Sequence, residues 1–199
     1  MNENLSLTAG LSRLIQLILV GVVFGLFVAF VTHFFVLGVQ FFTSFRTVVA
    51  PIQVSGFELQ YAQFFTLGFV ALCVIAIKKH LGIARWHGPA DSIHAAHRTD
   101  NELDIKSGLS STLVAFLSAS GGASVGQYGP LVHFGAVIGS AIKRFSRSGI
   151  STDIFIGCGV AAAIAAGFNA PIAGVIFAHE AIVRHFSLKA IAPIAIASC

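Results

Sequence analysis

Charge is what this sequence has least of. Only 10% of its 199 residues are Asp, Glu, Lys or Arg, where a soluble domain carries roughly 25%. Acidic residues are scarcest, 8 against 12 basic ones. The basic excess is small and scattered, so the pI near 9.3 reflects no basic stripe of the kind that grips nucleic acid. A mean hydropathy of +0.87 excludes a water-soluble enzyme and a disordered chain. Cysteine is also sparse. Cys73, Cys158 and Cys199 are far apart, form no CxxC pair and are odd in number, so they read as small apolar residues, and neither a disulfide framework nor a cysteine metal site is implied. No phosphate-binding GxxxxGK[ST] loop, Ser/His/Asp set or cofactor fingerprint occurs. Nothing points to an enzyme or to a cofactor.

What the sequence has instead is apolar length. The first run, Leu14 to Phe42, is interrupted only by Gln16, His33 and Gln40 among strongly polar residues. As a helix it measures about 43 Å, against a hydrocarbon core of about 30 Å, which predicts strong tilt or projection beyond the core. It is about twice the length of a signal core and lacks a small-residue cleavage pattern, so it is no signal peptide. Gly21 and Gly25 form a GxxxG that permits close helix contact. A second span is expected from about Phe57 to Ile77, ending at Lys78-Lys79-His80. The positive-inside rule puts Lys78 to Arg98, and with them the N-terminus, on the cytoplasmic side.

Beyond residue 80 the apolar runs shorten and are broken by Gly and Pro: Leu109 to Leu117, Leu131 to Ile142 after Gly129-Pro130, Ile154 to Ala166, and Ile172 to Phe177 after Asn169-Ala170-Pro171. Several are too short to cross a bilayer. Irregular backbone survives in a membrane only inside protein or beside a water-filled cavity. Broken helices ending near the midplane build ion sites in channels and transporters, and their N-termini favour anions. The competing reading is a helical bundle whose glycines merely allow tight packing.

Two segments carry the reading further. One is Gly126-Gln-Tyr-Gly-Pro-Leu-Val-His-Phe-Gly-Ala-Val-Ile-Gly139; the other is Ala161-Ala-Ala-Ile-Ala-Ala-Gly-Phe-Asn-Ala-Pro-Ile-Ala-Gly-Val-Ile-Phe-Ala-His-Glu180. Together they resemble the CLC family of chloride channels and chloride/proton antiporters, the second through its Phe168-Asn169-Ala170-Pro171 stretch, the first in frame with the family's G-[KR]-E-G-P loop. The resemblance implies an all-α membrane protein of tilted and broken transmembrane helices, the first of two inverted repeats, running from about residue 10 to 199. Residues 1–10 then form a cytoplasmic N-terminus and 11–199 the N-terminal half of the transmembrane domain, in a multi-pass protein of a bacterial inner or plasma membrane. It implies chloride or a similar anion as cargo, a homodimer in the lipid bilayer, and a second half, from the rest of the chain or a partner, that supplies a G-x-F-x-P loop and a pore tyrosine absent here. On this resemblance the anion would meet Gly126, Gln127, Gly129, Pro130 and Leu131, and His87 and Gly88 of an inner loop.

The departures from the family bear on mechanism. The gating glutamate falls on Tyr128, whose phenol carries no charge at neutral pH. It can plug the path or donate an O–H to an anion; alternatively it packs on Phe134. The inner proton glutamate falls on Ala181, next to Glu180, which is expected to be nearly buried and structural. With both carboxylates gone, passive channel-like passage is expected; an antiporter with a relocated acid and a non-conducting scaffold or half-subunit are the alternatives. The family's G-S-G-I-P loop falls on Trp86-His87-Gly88-Pro89-Ala90, where only the Gly matches. His87 replaces the serine and either donates an imidazole N–H to the anion, more strongly when protonated, or is an interfacial residue. Pro89 with Asp91 reads as a helix start. His94 and His97 share a spacing of three, yet no HExxH or coordination set accompanies them and no metal site is expected. His133 is either a pore contact or a hydrogen-bonded core residue. Lys143, Arg144, Arg147, Arg184, His185 and Lys189 read as helix ends at the headgroups, or as attractors of anions to a pore mouth.

Overall fold

The computed structural model describes the backbone of residues 2–47, 52–54, 57–59, 61–98, 100–146, 149–183 and 188–199, and side chains within 15–16, 18–45, 61–98, 100–146, 149–183 and 190–199. Arg147, Arg184, His185 and Lys189, read from sequence as helix ends at the headgroups or attractors of anions, lie outside the described side chains.

The framework is all-α. Helix α1 spans Asn2–Thr47, α2 Tyr61–Leu81, α3 Pro89–His97, α4 Ile105–Ser120, α5 Tyr128–Phe145, α6 Thr152–Phe168, α7 Pro171–Phe177 and α8 Leu188–Ser198. A π-helical turn, Ala178–Val183, continues α7. Among the described residues the one extended element is a short hairpin, β1 Ile52–Val54 against β2 Phe57–Leu59, antiparallel with Ile52 opposite Leu59. It corrects the second span: residues 57–59 belong to the hairpin, and the helix runs instead from Tyr61 to Leu81. Apolar content alone cannot separate a strand from the first turn of a helix. The first run is likewise longer than its apolar stretch, and residues 2–10 continue α1 without a break.

Helix α6 is the centre. It is apolar on every side, and Ile154 through Ile164 are all buried, as expected of a helix with no polar face. Helices α1, α5, α7 and α8 pack around it. The closest approach is with α5, where Gly135 faces the Gly159 backbone and Gly139 faces that of Phe155, so that a Cβ at either position would run into a carbonyl oxygen. Gly21 and Gly25 make a similar seam between α1 and α8: a Cβ on Gly25 would stand 2.8 Å from the Ala197 oxygen. Close helix contact at this GxxxG follows the expectation from sequence. Helix α2 has the opposite character. It has no buried residue, and Phe64, Phe65, Phe69, Leu72 and Ile75 are between 62% and 76% exposed. A helix so apolar and so uncovered suits lipid rather than water.

Local chemistry fixes the breaks. Gly82, at φ +64, ends α2, and the Lys106 ammonium donates to the carbonyl of Leu81 (2.9 Å). Asp91 accepts from the backbone N–H of Gly88 (2.8 Å) and pairs with Arg85 (2.5 Å), starting α3 with Pro89 in its first turn. The expected helix start at Pro89 is thus present. Asp104 caps α4 by accepting from the Ser107 N–H. Asn169 takes the left-handed conformation (φ 53) that closes α6, and Pro171 opens α7, a left-handed stop followed by a proline start.

Candidate functional site

Helices α3 and α5 bring their N-terminal ends together: a Cβ placed on Gly129 would stand 3.6 Å from Pro89 Cγ. The first-turn N–H groups of a helix have no intrahelical acceptor and sit at the positive end of its dipole. At the start of α5, Gln127 supplies no side-chain cap. Two helix starts therefore border one space, a cavity of about 490 Å³ whose lining includes Pro89, Tyr128, Gly129, Phe168, Ala170 and Phe177. The walls are apolar and, among the described residues, contain no carboxylate. The polar groups available there are the Tyr128 phenol and main-chain atoms.

Tyr128 is the first residue of α5 and is half-buried. Its ring lies against Phe168, centroids 4.4 Å apart and planes tilted by 34°. The expected alternative partner, Phe134, is not the one it meets; Phe134 is buried farther along α5. A helix repeats every 3.6 residues, which turns position 134 well away from 128. The aromatic contact joins the two motifs, because Phe168 ends α6 and Tyr128 starts α5. Gly167 makes room for it: a Cβ there would lie 3.0 Å from Tyr128 Cδ1 and 3.8 Å from Thr32 Cγ2.

The other expected anion contacts are placed less uniformly. Tyr128 and Gly129 line the cavity, whereas Leu131 is turned into the core. Gly126 is exposed at φ +69, and Gln127 and Pro130 are half-buried at the rim of the helix start. Gly88 caps α3 beside Pro89. Phe168 and Ala170 line the cavity, while Asn169 and Pro171 line a different and larger one of about 630 Å³ between α1, α6 and α8. That larger space holds none of the expected anion contacts. Glu180, expected to be nearly buried, is exposed on the π-helical turn beside half-buried Ala181. The turn directs His179 inward and Glu180 outward, a detail of helix phase that apolar context does not reveal.

His87 lies in the loop before α3. Its backbone N–H donates to Ser111 Oγ (2.8 Å), and its ring stands 6.1 Å from that of His133, near-perpendicular. His133 is 1% exposed and its Nδ1 shares a hydrogen bond with Ser92 Oγ (2.6 Å). Of the two readings open for His133, the hydrogen-bonded interior residue describes this contact. Ser92, Ser111 and Thr32 carry no signal in the sequence, since single hydroxyls inside apolar helices have no spacing signature. His94 and His97 are exposed on α3, and among the described residues no three His, Cys, Asp or Glu side chains cluster.

Comparison with known proteins agrees with the motifs. Residues 67–199, well over half of the chain, match the family model "Voltage gated chloride channel". Over 110 residues the chain is 28% identical to the voltage-gated ClC-type chloride channel ClcB of Yersinia pestis. It is also 28% identical over 116 residues to a putative chloride channel protein, ClcB-like, of Ralstonia nicotianae, and over 114 residues to ClcB of Escherichia coli O139:H28. These alignments cover 55–57% of this chain and 27% of each relative, so the chain matches about a quarter of the length of these relatives. The family match starts within α2; α1 and the hairpin precede it. With its broken-helix motifs, its two apolar spanning helices and this match, the chain belongs to the voltage-gated chloride channel family of membrane proteins.

Proposed function

We propose that this chain forms the first half of a chloride pathway and that the pathway is passive. The observation that carries the reading is the convergence of the α3 and α5 N-termini on a cavity that Tyr128 lines and that has no carboxylate among its described lining residues; the family resemblance puts the gate at Tyr128. The α5 start, which has no side-chain cap, is a positive helix end that attracts an anion; the α3 start beside it already holds the Asp91 carboxylate. A neutral phenol competes with that anion by bulk and by hydrogen bonding, not by charge. Ala181 at the inner proton position supports the same reading, since a methyl group carries no proton. Tyr128 and Phe168 touch and both line the cavity, which supports the pair as the gate. The exposed Lys78, Lys79 and His80 at the end of α2 support a cytoplasmic face at that end. A second half, in the same chain or a partner subunit, completes the pore, and two such units form a homodimer.

The test is chloride efflux from liposomes containing the complete gene product that carries this chain. Tyr128→Ala should raise the rate several-fold by unplugging the path, and Tyr128→Phe should separate the hydroxyl from the ring. An unchanged rate in Tyr128→Ala, in protein that remains folded, contradicts the gate assignment.

A further inference from the structure

One turn into α5 from Gly129 lies a group that the gate does not use. His133 is enclosed by α3 through Ser92, which is fully buried, and by α4 through Gly108. A Cβ on Gly108 would stand 3.3 Å from His133 Nε2, so the glycine leaves that nitrogen its space. Serine occupies only Nδ1. Either tautomer of the ring leaves Nε2 as a bare lone pair or a bare N–H, and Nε2 has no hydrogen-bond partner among the described residues. The same holds for buried Nδ1 of His87, on the ring 6.1 Å away. Buried polar atoms are normally matched, and two unmatched imidazole nitrogens on neighbouring rings call for a ligand that can both donate and accept.

We propose that His87 and His133 form a buried proton-binding site, the two rings bridged by one water molecule, and that its occupancy is linked to the anion at the start of α5. This rests on the chloride reading of that site. A proton entering from the aqueous side adds at His87 Nε2, the His87 Nδ1 proton passes to the water, and the water passes one of its own to His133 Nε2; His87 ends neutral in its other tautomer and the single positive charge rests on His133. The proton returns by the same route, so it changes the affinity for the anion and is not exchanged for it. The charge stands about one helical turn behind the α5 N-terminus, where it adds to the dipole that attracts an anion. The surrounding charges are few. On the α3 side the charged groups are Asp91 and the Arg85 it pairs with, and Asp104 caps the start of α4. Helix α4 adds serines and Gly108, and its Lys106 is occupied at Leu81. The buried face of α6 holds Cys158 and no charged residue, and α1 between residues 18 and 45 holds none, with its His33 exposed.

Linkage is reciprocal: if the proton strengthens chloride binding about fivefold or more, chloride strengthens proton binding by the same factor. The measurement is a pH titration of ¹⁵N-histidine-labelled complete gene product by NMR, with and without chloride, and gluconate as the control anion. His87→Asn and His133→Gln assign the two rings. The expected result is that His133 takes up a proton within the titration, that its curve responds to His87, and that chloride moves the midpoint to higher pH. An imidazole at 133 that stays neutral throughout, or a midpoint that ignores chloride while chloride demonstrably binds, overturns this inference alone. Absence of any chloride binding, in protein that is folded by its thermal transition, overturns the transport reading and this inference with it. The wild-type titration needs no variant, so poor folding of His133→Gln does not remove the test.

Discussion

At the position where the family resemblance puts a gating glutamate, this chain has Tyr128. A carboxylate there would occupy the anion site when ionised and vacate it when protonated. A phenol at the same point, braced on Phe168 at 4.4 Å, has neither option at neutral pH. Aromatic pairs of this kind contribute about 0.5–1.5 kcal/mol beyond their buried area, so Phe168→Ala should loosen the ring and raise chloride flux in the same direction as Tyr128→Ala, by a smaller factor. Chloride efflux from liposomes compares the two. Asp104 makes a different point. The Ser107 hydroxyl and N–H hold its carboxyl below the usual carboxylate range. A depressed folded-state pKa stabilises above the unfolded value, and the gain is lost as pH falls through the folded one. The cap should therefore stabilise α4 at neutral pH and cease to do so in acid. Asp104→Ala should cost about 1 kcal/mol at pH 7, a fall in melting temperature of roughly 2–4 °C. The gap between variant and wild type should narrow below pH 4 in a detergent melt.

Helix pairing decides the elements. The α5–α6 contact brings two backbones together through glycines, and no side-chain movement can relieve a methyl group placed against a carbonyl oxygen. Gly159→Ala should cost about 1–3 kcal/mol or more, as overpacking does, and lower the detergent melting temperature accordingly. Gly108→Ala should do the same at the α4–α5 contact, where a Cβ would strike Val137. An unaltered melt in Gly159→Ala would show that the two helices are not so close. At this scale the sequence was most legible. Asn169-Ala170-Pro171 announces a left-handed stop and a proline start, and Pro89 with Asp91 announces α3. Apolar runs announced α1, α4, α5 and α6. The hairpin was not legible, because its strands, Ile-Gln-Val and Phe-Glu-Leu, are three residues each, too short for an alternating pattern to stand out beside the apolar helix that follows. Nor was the outward turn of Glu180, which depends on a π-helical step that shifts every later side chain.

For the whole molecule, the sequence pointed to the broken helices and the gate position, while the assembly of the site came from packing between distant segments. Which aromatic Tyr128 meets, and that His133 meets Ser92 forty-one residues away, are facts of tertiary contact with no local pattern. Scarcity of charge acquires a function at this scale. An antiporter needs acids along its proton route, and the described residues lining this cavity are aromatic and aliphatic side chains with a glycine and a proline. The pathway we propose is therefore a passive one for chloride, with protons confined to a binding equilibrium at the histidine pair. The most direct measurement is simultaneous chloride and proton flux in liposomes containing the complete gene product, started by a chloride gradient and clamped at zero potential. Chloride flow with no fixed proton counterflow is the result predicted. A constant ratio of protons to chlorides across several gradients would contradict it.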